Sequence, residues 1–220
     1  MKRLSKSSKL LLEKARDSAT QAISTYNDPR SRFRTGNFVV LMIIAWTSLF
    51  HSYFEQNKIK YFYKKSNGRY ETIDGERRAW GIEDSIKEVL DENDPTRKNL
   101  ELFTRIRHRI EHRNLPGLDQ ELLGECQALV LNFESWIIKV FGEEYSLMDY
   151  MFVPIQLTSA RRILPKTNLE GKIVDFIKQY RNLLEPEIIN SQSYSFKAYL
   201  VPKIGNHRSS SDVAIEFDSV

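Results

Sequence analysis

A chain of 220 residues, 41% hydrophobic and 28% charged, has the make-up of one folded domain, or one domain with an appendage, with enough length to bury a sizeable core. A single cysteine, Cys126, excludes a disulfide framework within the chain. The basic start Met1 to Lys6 has no apolar stretch behind it and is not a secretion signal, so a reducing cytoplasm is the expected setting. The net charge of +4 and pI of about 9.0 lean mildly toward an anionic partner.

Residues 5–26 read as a first helix, with Leu11, Ala15, Ser18, Ala22 and Tyr26 recurring at steps of three and four as one apolar stripe. Asn27-Asp28-Pro29 ends it. The basic loop Arg30-Ser31-Arg32-Phe33-Arg34 reads either as a solvated connector or as a phosphate-contacting loop. Thr35 is the expected N-cap of a second helix over about 37–55. Its run FVVLMIIAWTSLF, roughly 13 residues, is shorter than the ~20 needed to span a bilayer, so a central core helix is expected and no membrane partner.

The character changes over residues 58–73. Ile59 to Lys65 is aromatic and β-prone, Asn67-Gly68 is a strong turn signal, and Arg69-Tyr70-Glu71-Thr72-Ile73 follows; together they predict a β-hairpin insertion. It interleaves Tyr61, Tyr63 and Tyr70 with Lys60, Lys64, Lys65 and Arg69. Such a surface either packs its aromatics on the helices or stacks them on unpaired bases while Lys64, Lys65 and Arg69 hold phosphates. Asp74-Gly75 marks a second turn, and Trp80 with the stretch Ile82 to Leu90 suggests a short helix with Ile82, Ile86, Val89 and Leu90 inward.

The next helix runs from about Thr96 to Arg113, its apolar face carrying Leu100, Phe103, Ile106 and Ile110. Asn114-Leu115-Pro116-Gly117 stops it, and Asp119 is placed to cap a long helix to about Val140 with Leu122, Cys126, Leu129, Val130, Phe133, Ile137 and Val140 inward. Gly142 suits its C-terminal end. Short connections between long helices imply an antiparallel bundle over residues 1–145. Over 146–220 a helical extension is expected, with helices over 147–159 and 169–184. The pattern then alternates at Tyr194, Phe196, Ala198 and Leu200, and again at Val213, Ile215 and Phe217, which predicts a C-terminal β-hairpin. The chain stops straight after it; a two-stranded unit is marginal alone, so the natural protein is expected to continue past Val220.

Arg105-Ile106-Arg107-His108-Arg109-Ile110-Glu111-His112-Arg113 is where cations, imidazoles and a carboxylate crowd at helical spacing. Metal-independent RNA cleavage needs a proton acceptor for the ribose 2′-hydroxyl, a proton donor for the leaving 5′-oxygen, and positive charge for the transition state. Imidazole suits the proton transfers and guanidinium the charge. Two plainer readings stand beside this. Arg105, Arg107, Arg109 and Arg113 fit a solvated face paired with Glu101 and Glu111. His108 and His112, four apart, fit a metal ligand pair, though no second carboxylate or cysteine cluster accompanies them.

The stretches at 11–27, 33–55, 98–119 and 124–145 resemble the HEPN superfamily of helical domains, and within it an uncharacterised bacterial domain-of-unknown-function family; the resemblance covers roughly residues 10–150. The HEPN hallmark is Arg, a polar residue, then His, with four to six residues between Arg and His. It maps onto Arg107, His108 and His112. Arg105 to His112 also fits the spacing, but Ile106 then occupies the polar position. The resemblance implies a mainly α four- to five-helix bundle and a metal-independent ribonuclease that needs no cofactor and leaves a 2′,3′-cyclic phosphate. His112 would be the general acid or base, Arg107 would stabilise the transition state, and His108 would position. It further implies a homodimer with a composite site, RNA contacts from Arg105, Arg109 and Arg113, and a toxin or phage-defence role with an antitoxin or other regulatory protein. The superfamily also holds non-catalytic members, so an RNA- or nucleotide-binding module acting through partners is the alternative.

Overall fold

The computed structural model describes residues 4–28, 30–31, 33–110, 121–147, 168–202 and 215–219. The chain is mainly helical, with small two-stranded antiparallel sheets. The α-helices among the described residues are α1 (Lys6–Asn27), α2 (Arg34–Asn57), α3 (Ile82–Val89), α4 (Pro95–Ile110), α5 (Leu123–Phe141), α6 (Asn168–Asn182) and the single turn α7 (Pro186–Ile189). The helix expected over 147–159 and the cap expected at Asp119 lie outside the described residues.

Ser5 caps α1 by accepting from the backbone N–H of Ser8 at 3.0 Å. The buried stripe of α1 is Ser8, Leu12, Ala15, Ala19, Ala22 and Ile23, so Leu12 and Ala19 face inward where the sequence suggested Leu11 and Ser18. The small residues let α1 lie close along α2. Ser8 and Ser52 each donate a hydroxyl to the other's backbone carbonyl, at 2.9 and 2.8 Å, while the Tyr26 and Phe38 rings meet at a tilt, 5.0 Å apart, at the far end. These two contacts fix the helices as antiparallel.

Helix α2 begins at Arg34, and Thr35 is not its cap: it lies within the first turn, 2% exposed. Phe33 holds the cap position with no side-chain hydrogen bond, its ring lying over Gly36, where an added Cβ would come within 2.2 Å of the ring. Packing sets this helix start. With 24 residues, α2 is long and apolar enough to cross a membrane by length and composition, but most of its apolar window is buried. It packs on α1, α3, α4 and α5. Trp46, fully buried, meets Phe133 of α5 edge-on at 5.3 Å and Phe50 at 5.3 Å, and Trp136 closes the cluster against Phe50 and Tyr53.

Between α2 and α3 the predicted hairpin is present but is one arm of a larger unit. Lys64 bridges Tyr70 across the Asn67-Gly68 turn, and a second arm, β1 (Thr72–Ile73) with β2 (Glu76–Arg77), closes through Asp74-Gly75. Both of those turn residues have positive φ, 51° and 86°, as a two-residue hairpin turn of the primed type requires. The chain then returns to pair Ala79 with Phe62, so the insertion closes at Trp80 rather than at Ile73. His51 of α2 anchors this stem. Its Nε2–H donates to the Trp80 carbonyl at 2.9 Å and its ring lies 4.5 Å from that of Tyr61, whose hydroxyl donates to Glu55 at 2.8 Å.

Asp94 caps α4 by accepting from the Thr96 N–H at 2.7 Å. Helix α6 is tied to α5 by Arg181, which reaches the buried Glu125 at 2.7 Å and the Glu121 carbonyl at 2.6 Å. Next, the segment 193–196 crosses the start of α5. The buried Asn99 amide donates to the carbonyls of Glu125 and Tyr194, and Phe196 N–H donates to the Gly124 carbonyl at 2.9 Å. Tyr194 is therefore a core residue ahead of the final hairpin, in which β3 (Ala198–Pro202) pairs antiparallel with β4 (Ile215–Ser219).

Two outcomes follow for stability. Arg181→Met leaves the Glu125 carboxylate buried without its cation and is expected to cost about 2–4 kcal/mol, read as a lower urea midpoint at unchanged m-value. Burial holds the His51 pKa below the ordinary imidazole value. The unfolded chain therefore binds a proton near pH 6.5 that the folded protein takes up only at lower pH, and stability falls as pH drops below about 6.5. Urea titrations at pH 7.5 and 5.5 should show a smaller loss for His51→Gln than for the parent chain.

Candidate active site on the central helix

Helix α4 is amphipathic, and its core-facing residues fix where its cations go. Leu100, Leu102, Phe103, Ile106 and Ile110 are buried among the neighbouring helices. At about 100° per residue, Arg105 and Arg109 then share one flank, Arg107 takes the opposite flank, and His108 lies farthest from the core. Arg105, His108 and Arg109 are exposed and Arg107 is half-buried. The contiguous sequence cluster is thus divided into two sides.

On the first side lies α6. The Arg105 guanidinium sits 5.0 Å from the centre of the Tyr180 ring and that of Arg109 3.9 Å from Phe176. Two residues four apart on α4 meet two residues four apart on α6, running in opposite directions. The Tyr180 hydroxyl donates to the Lys98 carbonyl at 3.0 Å, and burial holds its pKa above the ordinary phenol value. Cations stacked on aromatic faces are ordered while their outer N–H groups remain open to solvent. Glu101 is not their partner: it is engaged by Arg97 at 2.8 Å and Lys98 at 3.6 Å.

On the second side lies α3. His108 Nε2 is 3.5 Å from Glu83 Oε1, both side chains being well exposed. The next residue, Asp84, accepts a short hydrogen bond from the Tyr63 hydroxyl of the insertion. The first turn of α3 therefore touches the candidate site with one carboxylate and the insertion with the adjacent one.

His112 and Arg113 lie outside the described residues, as does Glu111. Lys64, Lys65 and Arg69 are exposed around the Asn67-Gly68 arm of the insertion, away from α4 in sequence and joined to it through α3. Tyr61 is 6% exposed and Tyr63 is bonded to Asp84, so of the three insertion tyrosines these two face the helices. Cys126 is buried in α5 as core packing. Among the described residues no group of three His, Cys, Asp or Glu side chains is placed to hold a metal ion. Sequence reasoning missed Glu83, Phe176 and Tyr180. The four-residue spacing of Phe176 and Tyr180 was visible, but that they meet Arg109 and Arg105 is a property of helix pairing.

The helical unit from α1 through α6, insertion included, coincides with a known family. A family model described as a domain of unknown function, DUF3644, matches residues 10–184. The chain belongs to the DUF3644 family. No curated protein and no solved structure matches it. The DUF3644 match thus takes in α4, the rings of α6 that order its arginines, and the α3 carboxylates.

The α4–α6 contact has a measurable consequence. Tyr180→Leu keeps most of the packing area but removes the ring under Arg105 and the bond to the Lys98 carbonyl. It is expected to cost about 1–2 kcal/mol of stability in urea unfolding.

Proposed function

We propose that this DUF3644 chain is a HEPN-type endoribonuclease that cleaves RNA without a metal, with Arg107, His108 and His112 as its catalytic group. The observation that carries the reading is the placement of Arg107 and His108 on the last described turn of a helix whose Ile106 and Ile110 are sunk in the core. A helix held on its apolar face keeps its polar end in one geometry, as positioning for phosphoryl chemistry demands. In this reading Arg107 offsets charge on the transition state and His112 transfers the proton. Glu83 lies 3.5 Å from His108 Nε2 and can orient its ring, and in this reading His108 positions the substrate. A homodimer sharing Arg–His pairs across a two-fold axis, and restraint by an antitoxin-like protein, belong to the same proposal.

A second reading is supported by Arg105 and Arg109. Their guanidinium groups are ordered on rings and still exposed, which suits a binding module that holds RNA or a nucleotide without cleaving it.

Cleavage of a mixed RNA pool in excess EDTA separates the two. The nuclease reading expects products ending in 2′,3′-cyclic phosphate, with activity reduced at least ~10²-fold in Arg107→Ala and in His112→Ala. Cleavage that both variants retain would overturn the site. RNA binding with no cleavage by the parent chain would favour the binding module.

A further inference from the structure

The positive charge of this protein has an address. Residues 58–80 hold seven Lys or Arg (Lys58, Lys60, Lys64, Lys65, Arg69, Arg77, Arg78) and three acids (Glu71, Asp74, Glu76), a net charge of +4 that equals the charge of the whole chain. The rest of the sequence is neutral in sum. This segment is the β insertion, and its charges are not mutually cancelled. Glu71 pairs with Arg78 at 2.9 Å, while Lys64, Lys65, Arg69 and Arg77 are exposed and, among the described residues, have no carboxylate partner.

The insertion has two unlike faces. Tyr61, Tyr63 and Trp80 turn toward α2 and α3: Tyr61 meets Glu55, Tyr63 meets Asp84, and Trp80 packs edge-on against Phe54. On the other face, the Lys64 ammonium lies 6.0 Å and the Arg77 guanidinium 4.6 Å from the centre of the Tyr70 ring. Phe62 meets Tyr70 edge-on at 5.9 Å and has Arg77 5.9 Å from its own centre. Lys65 and Arg69 flank the turn beyond, their backbones joined by a 2.8 Å hydrogen bond. Two half-buried rings thus carry two cations, with two more at the tip.

We propose that this outer face, formed by Lys64, Tyr70, Arg77 and Phe62 with Lys65 and Arg69 at its tip, is a docking platform for single-stranded RNA. It rests on the reading of RNA as the substrate above and gives that substrate an entry surface. Single-strand sites combine cations that follow the phosphates with aromatic faces that accept bases of any identity, and this face supplies both. The arms are only a few residues long, too short to follow the successive grooves by which duplex RNA is recognised by shape. Location completes the case. Adjacent residues Glu83 and Asp84 of α3 contact His108 and Tyr63, so the platform and the candidate site share one helical turn as their common support.

The test uses the full chain carrying His112→Ala, in EDTA, with a fluorescent 20-nucleotide oligouridine RNA, a duplex RNA of equal length and poly-glutamate as probes. The platform variant is Lys64→Gln/Lys65→Gln/Arg69→Gln; Lys64→Arg/Lys65→Arg/Arg69→Lys keeps the charge at the same positions and controls for folding. With about 0.7 counterion released per single-strand phosphate contact, the Gln variant should bind the oligouridine about tenfold more weakly. Its salt slope should be shallower by about 2, and the charge-preserving variant should match the parent. Unchanged affinity and slope in the Gln variant, no binding by the parent, tighter binding of duplex than of single strand, or equal competition by poly-glutamate would each overturn the platform. Because the readout is binding, it fails separately from the nuclease. A chain with intact Arg107 and His112 that cleaves nothing, yet loses RNA affinity in the Gln variant, would sink the catalytic reading and leave the platform standing.

Discussion

Helix α2 presents an apolar surface on nearly every side, and the remaining elements are arranged to keep water from it. Small residues on α1 let one wall approach closely, and Ser8 and Ser52 satisfy their buried hydroxyls on each other's backbone carbonyls. The aromatic cluster of Trp46, Phe50, Phe133 and Trp136 closes another wall with α5. Helices α3 and α4 cover what is left. Since each wall must turn its own apolar stripe toward α2, the outward direction of every polar side chain on those walls is settled by the same constraint.

Its consequence is clearest on α4. A run of alternating cations looks continuous in one dimension, but a helix whose core face is Phe103, Ile106 and Ile110 must send Arg105 and Arg109 one way and Arg107 the other. Arg105 and Arg109 end on the rings of α6, and His108 ends beside Glu83. The chemistry proposed for the central helix therefore draws on one side of it, while the stacked pair on the other side joins α4 to α6. Helix α3 is the short element with the widest influence, because its first turn couples α4 to the basic insertion.

The insertion illustrates a different economy. Its stem is held by partly buried polar contacts, namely His51 to the Trp80 carbonyl and Tyr61 to Glu55, while its arms carry the net charge of the molecule away from the core. Aromatic residues do both jobs: those of one face fasten the stem to the helices, and those of the other order the cations above them. A pattern of interleaved Tyr and Lys could not separate these roles, since alternate residues of a strand face opposite ways and the side facing the protein depends on which strand pairs with which.

What the sequence determined by itself is what local physics controls. The extents of α1, α3 and α6, the turns at Asn67-Gly68 and Asp74-Gly75, the buried character of Cys126 and of the run in α2, and the antiparallel C-terminal strands follow from period, turn chemistry and composition. The start of α2 at Arg34 was decided by the Phe33 ring over Gly36, and the closing of the insertion at Trp80 by its pairing with Tyr61 and Phe62. The inward placement of Leu12 and Ala19 was decided by where α2 lies. The residues of a candidate catalytic group were legible as a motif, since Arg and His spacing is local. Their neighbours Glu83, Phe176 and Tyr180 come from elements tens of residues away, and only burial of a shared core brings those elements together.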